Sequence, residues 1–202
     1  MEKQFYNFVK EVYDKQLGVE GIAIADGEKI LMEHHFTPDQ ARNIYSHTKS
    51  YMSTAVGLAI ADGKLSLDDR LAEFFPEAVP ENAQPELFEI RLRHLLMMSS
   101  GFHEPYLMDG KWKGQQLVDP AWIKEATAKQ IETPNPGNDI WVCGYGYQFW
   151  RNPYEDSYRA DGAYGQLTMV LPKKGLIVAI QCPESGDLNK VKPVMHELIL
   201  SL

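Results

Sequence analysis

The 202-residue chain has little cysteine, little positive charge and no long apolar run, and each shortage removes a class of function. Its two cysteines, Cys143 and Cys182, form no C-x-x-C pair. A disulfide framework and a thiolate metal centre are therefore not indicated, and both read as buried thiols. The six histidines, including the adjacent His34 and His35, show no H-E-x-x-H or similar ligand spacing. No metal and no other cofactor is expected. Twenty Lys and Arg stand against 28 Asp and Glu, a formal net charge of −8, and no basic cluster interrupts the excess. Nucleic acid and anionic membrane surfaces are thus disfavoured as partners, which leaves a small-molecule substrate. The first ten residues, Met1 to Lys10, form a charged amphipathic stretch without the apolar run of a signal peptide, so a cytoplasmic location is expected.

At 44% hydrophobic and 24% charged, the sequence can bury a sizeable core and reads as one domain over 1–202, with no internal repeat or low-complexity linker. Phe5, Phe8, Val9, Val12 and Tyr13 fall at helical spacing, as do Val191, Val194, Met195, Leu198 and Ile199 near the other end. Gly21 to Ala25 and Lys29 to Met32 read as two strands flanking Asp26-Gly27, a type I′ hairpin signal. Gly146 to Arg151, Leu167 to Leu171 and Leu176 to Gln181 read as further strands, the last two joined through Pro172-Lys173-Lys174-Gly175. The pattern predicts an α+β fold in which N- and C-terminal strands share an antiparallel sheet.

Between the ends lies Ser46-His47-Thr48-Lys49, at the head of an apolar, small-residue helix that runs to a C-cap glycine, Gly63. Residues at i and i+3 share a helical face, so the Lys49 amine can reach the Ser46 hydroxyl. Serine becomes a nucleophile when a neighbour takes its proton, and a lysine does this when its amine is neutral, which a partly closed site favours. The same serine could equally cap the helix. Metal chemistry is not required by either reading.

Four blocks carry a resemblance. They are Ile44-Tyr45-Ser46-His47-Thr48-Lys49-Ser50, Leu92-Arg93-His94-Leu95-Leu96-Met97-Met98-Ser99-Ser100-Gly101, Gly144-Tyr145-Gly146-Tyr147-Gln148-Phe149-Trp150 and Asp161-Gly162-Ala163-Tyr164-Gly165-Gln166. In this order, over most of the chain, the sequence resembles the beta-lactamase-related serine hydrolases, which include class C beta-lactamases, D-alanyl-D-alanine carboxypeptidases and esterases. The resemblance implies terminal helices on one face of the sheet and the Ser-x-x-Lys helix on the other. It also implies Ser46 as acylated nucleophile, Lys49 as its proton partner, and the backbone N–H groups of Ser46 and Ala163 as an oxyanion hole. Gly162, Tyr164 and Gly165 would line the site on the strand beside it, although a bulged strand alone would also explain the glycines.

One part of the family pattern is missing. Relatives carry a helical region with a Y-x-N tyrosine after the Ser-Ser-Gly block, whereas here Met108 is followed at once by Asp109-Gly110-Lys111-Trp112. The helical subdomain therefore reads as reduced. Tyr106, Tyr147 and Tyr164 are read as packing aromatics, and none is assigned the missing role. Met97 and Met98 are expected to fill core and His94 to be a structural hydrogen-bonding residue. A helix over Pro120 to Gln130, flanked by Trp112 and Trp122, would lose its usual partners, expose apolar surface and favour a homodimer. Two functions follow: hydrolysis of a small ester, amide or lactam through an acyl-enzyme, or an impaired remnant that binds a ligand or acylates without turnover.

Overall fold

A computed structural model describes residues 1–79, 81–83, 85–97, 111–112, 115–116, 118–133 and 139–202. In chain order its elements are α1 (Glu2–Asp14), β1 (Gly21–Ala25), β2 (Ile30–His35), α2 (Thr48–Ala61), α3 (Leu71–Phe74), α4 (Leu92–Leu96), β3 (Lys111–Trp112), β4 (Gln115–Gln116), α5 (Pro120–Thr127), β5 (Trp150–Arg151), β6 (Tyr158–Gly162), β7 (Gln166–Leu171), β8 (Leu176–Gln181) and α6 (Leu188–Ser201). β3 and β4 pair only with each other, while the other strands form one antiparallel sheet in the order β2-β1-β8-β7-β6-β5. The α+β arrangement expected from the sequence is the one found. The first strand pairs with the last, in register from Gly21 opposite Gln181 to Ala25 opposite Ile177.

Period-two alternation explains why the sheet is covered on both faces. Leu176, Val178 and Ile180 of β8, Leu167, Met169 and Leu171 of β7, and Ile22 and Ile24 of β1 form one core with the apolar stripes of α1 and α6. Those stripes are Phe5, Phe8, Val9 and Val12, and Val191, Val194, Met195, Leu198 and Ile199. Burying each such side chain stabilises the fold by roughly 1.5–3 kcal/mol, so the two terminal helices hold a sheet whose hairpins alone would be marginal. Tyr13 lies at the edge of the α1 stripe, 57% exposed, with its ring against Phe36. On the opposite face, Tyr158 and Ala160 of β6 and Val170 of β7 pack with Trp122, Ile123 and Ala126 of α5 and with Val56 and Ile60 of α2.

α2 meets the interior through small residues: Ser50, Ser53, Thr54 and Gly57 are its buried positions. Small side chains let the helix axis approach its neighbours closely, at the cost of leaving Tyr51, Met52 and Leu58 on the exposed side. The helix ends where the sequence predicts. Gly63 takes φ +68°, its N–H bonds the Ile60 carbonyl at 2.9 Å and the Lys64 N–H bonds the Ala59 carbonyl at 2.8 Å, a Schellman ending.

Several local expectations are corrected. The β1–β2 connection is not a two-residue I′ turn: only Gly27 has positive φ there, and the Asp26 carboxylate accepts the N–H groups of Glu28 and Lys29, both at 3.0 Å. The Asx turn widens the connection to Asp26–Lys29. The strand expected over Gly146 to Arg151 is reduced to Trp150–Arg151, because Gln148 at φ +74° and a Gly146 N–H to Phe149 carbonyl bond fold the preceding residues into a turn. α5 stops at Thr127 instead of Gln130, since Gln130 and Ile131 turn aside to bond the Tyr145 carbonyl. α5 also buries Trp122, Ile123 and Ala126, so these side chains supply none of the exposed apolar surface expected on this helix. Cys182 is buried as expected, but Cys143 is half-exposed. Met97 packs at the edge of the second core, and His94 accepts the Arg91 N–H on Nδ1 at 3.1 Å to cap α4. Met98, Ser99, Ser100, Gly101 and Tyr106, and with them the junction read as a reduced helical region, lie outside the described residues, as does the side chain of Trp112.

Candidate active site

Ser46 is held in a single 3-10 turn, Tyr45–His47, that runs straight into α2. It does not cap the helix: His47 occupies the N-cap position and no side chain closes that end. Lys49, in the first turn of α2, donates from Nζ to Ser46 Oγ at 3.2 Å. Both side chains are half-buried, so the pair is assembled yet open to a ligand.

The end of β6 packs against the same turn. A methyl group at Gly162 would collide with the Ile44 carbonyl oxygen and stand 2.9 Å from Gln166 Cβ and 3.2 Å from His47 Cβ. Glycine is required here because backbone meets backbone. The strand expected over Gly162 to Gly165 ends at Gly162, and Ala163, Tyr164 and Gly165 form the turn into β7. Contact of Gly162 with Ile44 and His47 thus sets the end of β6 against the turn that carries Ser46.

Tyr45 and Glu184, which sequence reasoning passed over, fasten these two turns together with Tyr164. Tyr45 and Tyr164 both adopt the left-handed conformation, at φ +49° and +64°, and their rings meet edge to face with centroids 5.3 Å apart. The Tyr45 hydroxyl donates to Glu184 Oε1 at 2.7 Å, which raises the phenol pKa. Non-glycine residues in this region cost on the order of 1–3 kcal/mol each and persist where surrounding contacts enforce them. Nothing in local periodicity marks Tyr45 or Glu184; adjacency to Ser46 was the only available signal.

Beneath the turn, burial pushes the His47 imidazole pKa down to about 4, with the Asp161 carboxylate pulling the other way. Asp161 is itself held by the buried Arg159, Nε to Oδ2 at 3.0 Å. Arg159 also reaches the Trp141 carbonyl at 2.8 Å and Asn152 Oδ1 at 2.9 Å. A guanidinium on β6 therefore stiffens the strand that ends beside the Ser46 turn. A cavity of about 250 Å3 on the sheet face next to the turn is lined by Ile44 and His47 together with Ala23, Thr168 and Ala179.

The remaining tyrosine candidates divide. Tyr147 is buried in the second core, its hydroxyl 3.3 Å from Glu125 Oε1 and its ring stacked on Trp122, a packing aromatic as expected. Among the described residues no tyrosine hydroxyl is hydrogen-bonded to Ser46 or Lys49, and no three His, Cys, Asp or Glu side chains gather to hold a metal. No helix of the described residues is long and apolar enough to cross a membrane.

The family sequence pattern named Beta-lactamase matches residues 8–138, more than half of the chain. The chain belongs to the beta-lactamase family. Its fold is shared by solved structures at low identity. The octameric penicillin-binding protein homologue from Pyrococcus abyssi is 14% identical with a TM-score of 0.73, over 99% of this chain and 77% of that one. A beta-lactamase from Mycobacterium bovis is 14% identical with a TM-score of 0.62, over 96% and 98%. EstCE1, a hydrolase with promiscuous acyltransferase activity, is 11% identical with a TM-score of 0.72, over 98% of each chain. None of the curated proteins matches the sequence.

Proposed function

We propose that this beta-lactamase-family chain is a serine hydrolase that cleaves a small ester, amide or lactam through an acyl-enzyme on Ser46. The observation that carries the reading is the Lys49 Nζ–Ser46 Oγ contact of 3.2 Å, in a half-buried site bounded by the Gly162 turn. Ser46 Oγ attacks the carbonyl carbon and its proton passes to Lys49 Nζ. The carbonyl oxygen becomes an oxyanion, which the N–H groups of Ser46 and Ala163 receive; two such donors stabilise the tetrahedral intermediate, and losing one costs about 10²–10³-fold in rate. Collapse breaks the bond to the alcohol, amine or lactam nitrogen, which takes the proton from Lys49. Water then attacks the ester on Ser46 and gives a proton to Lys49 Nζ; collapse breaks the bond to Ser46 Oγ, which takes that proton back as the acid leaves. Gly162, Tyr164 and Gly165 line the approach. Solved structures of the same fold include a beta-lactamase and a hydrolase with promiscuous acyltransferase activity, which supports the reaction class without choosing among substrates. A cytoplasmic setting, expected from the N-terminal composition, favours a small ester or amide over cell-wall peptides.

A second reading rests on the lack of a tyrosine hydroxyl on Ser46 or Lys49 among the described residues: acylation without efficient turnover. Intact mass after incubation with a fluorophosphonate and with a reactive lactam separates the two, together with steady-state ester hydrolysis. Hydrolysis by the first reading gives one adduct per chain, lost in Ser46→Ala and Lys49→Ala, and multiple turnovers of an unhindered ester. A single burst without turnover selects the second reading. No adduct on a folded wild-type chain defeats both.

A further inference from the structure

At the opposite end of β6 from Ser46, α5, β5 and the start of β6 enclose a cavity of about 740 Å3. That volume lies in the range of small-molecule sites. Ile123, Tyr158, Pro120 and Pro172 supply apolar walls, and the polar lining is rich in donors. Lys129 is already paired with Glu132 at 2.5 Å, and Asp156, the one carboxylate of the lining, faces Lys173 at 3.3 Å. Lys124 and Arg151 have no ion-pair partner among the described residues.

Arg151 is half-buried, and its Nη1 donates to the Thr127 carbonyl at 2.7 Å, closing the end of α5. The rest of its five-donor fork has no hydrogen-bond acceptor among the described residues. Burial lowers its pKa, and the nearby Asp156 carboxylate offsets part of that effect. Asn152 is 5% exposed and lines the same cavity. Its Oδ1 accepts from Arg159 at 2.9 Å, which fixes the orientation of the amide, and its Nδ2 is left without a partner among the described residues. A buried donor without an acceptor is costly and asks for one.

We propose that this cavity is a second ligand site that takes a small organic anion, its carboxylate or phosphate oxygens held by Arg151, Lys124 and Asn152 Nδ2 and its apolar body lying on Ile123 and Tyr158. Planar guanidinium forks and ammonium groups recognise both kinds of oxyanion. The site is distinct from the nucleophile: Tyr158 opens β6 and Gly162 closes it, which puts roughly 13 Å of strand between them. A local cluster of cations in a chain of net charge −8 also concentrates anions where the remaining surface repels them.

Isothermal titration with benzoate and with phenyl phosphate, at low and at physiological ionic strength, tests the assignment and separates carboxylate from phosphate. One probe is expected to bind saturably with one-to-one stoichiometry. Arg151→Gln is expected to weaken it about tenfold or more, the loss of a charge-assisted hydrogen bond. Lys124→Glu, an exposed substitution that leaves the core untouched, is expected to weaken it several-fold, and Ser46→Ala to leave it unchanged. If Arg151→Gln does not fold, Lys124→Glu carries the test. The proposal is overturned if neither probe binds the wild type, if Lys124→Glu binds as tightly as wild type, or if Ser46→Ala abolishes binding.

Discussion

Replacing Gly162 by alanine probes the joint on which the site depends. The added methyl group would run into the Ile44 carbonyl oxygen, with Gln166 Cβ at 2.9 Å and His47 Cβ at 3.2 Å, so two of its three neighbours lie in or directly before the turn that carries Ser46. Neither backbone carbonyl nor Cβ can rotate away, and relief requires the end of β6 and the turn Tyr45–His47 to move apart by about 1 Å. Overpacking of this kind costs about 1–3 kcal/mol. At roughly 2–4 °C per kcal/mol for a chain of this size, the melting temperature should fall by roughly 2–12 °C. Displacement of about 1 Å between nucleophile and oxyanion donors should lower kcat on the order of a hundredfold, comparable to losing one donor. Gly63→Ala is the control. Its φ is +68° with no heavy atom within 4 Å of an added methyl, so it carries left-handed strain of about 1–2 kcal/mol and no steric push on the site. Urea titration and ester hydrolysis, both well below the melting temperature, give the comparison. Equal losses of stability with activity lost only in Gly162→Ala support the joint. Activity of Gly162→Ala within threefold of wild type would refute it.

Other outcomes follow from the same geometry. Lys49→Ala should slow fluorophosphonate labelling of Ser46 by about 10²–10⁴-fold without shifting the urea midpoint appreciably; an unchanged labelling rate removes Lys49 as proton partner. Burial holds the His47 pKa at about 4 against an ordinary 6.5, so between these values the unfolded chain binds a proton that the folded chain refuses. Stability from this source is complete above pH 6.5 and falls toward pH 4, by about 3 kcal/mol in all. The stability gap between wild type and His47→Gln should therefore narrow by about that much on acidification. A gap independent of pH contradicts the burial. Arg159→Ala leaves Asp161 and Asn152 facing a buried void and should cost about 3–5 kcal/mol by chemical denaturation; a loss below 1 kcal/mol would show that Arg159 does not brace β6. The Cys182 thiol, fully buried and pushed up to about 12, should resist alkylation until unfolding, while half-exposed Cys143, also raised, reacts first by mass spectrometry.

The sheet was legible in the sequence because strands buried on one face alternate with period two, and the terminal helices because their stripes repeat with period 3.6. Phe5 to Val12, Leu176 to Ile180 and Val191 to Ile199 each announce one face and one partner. β6 was not legible: Tyr158-Arg159-Ala160-Asp161-Gly162 interrupts its apolar pattern with a buried ion pair, which only Trp141 and Asn152, brought in from elsewhere, make tolerable. The turn over Gly146 to Phe149 hid behind aromatics for the same reason, since their burial comes from distant side chains, Trp122 of α5 on Tyr147 and Tyr158 of β6 on Phe149. The Ser46–Lys49 contact could be read from spacing alone, because i and i+3 are neighbours on any helix. What no spacing contains is the opposition of Gly162 to Ile44, or of Tyr45 to Glu184 across an interval of 139 residues. Local sequence determined which residues could act and on which elements they would stand. Tertiary packing decided which of them meet, because contacts between distant segments depend on how the whole sheet closes and on which side chains leave room for it.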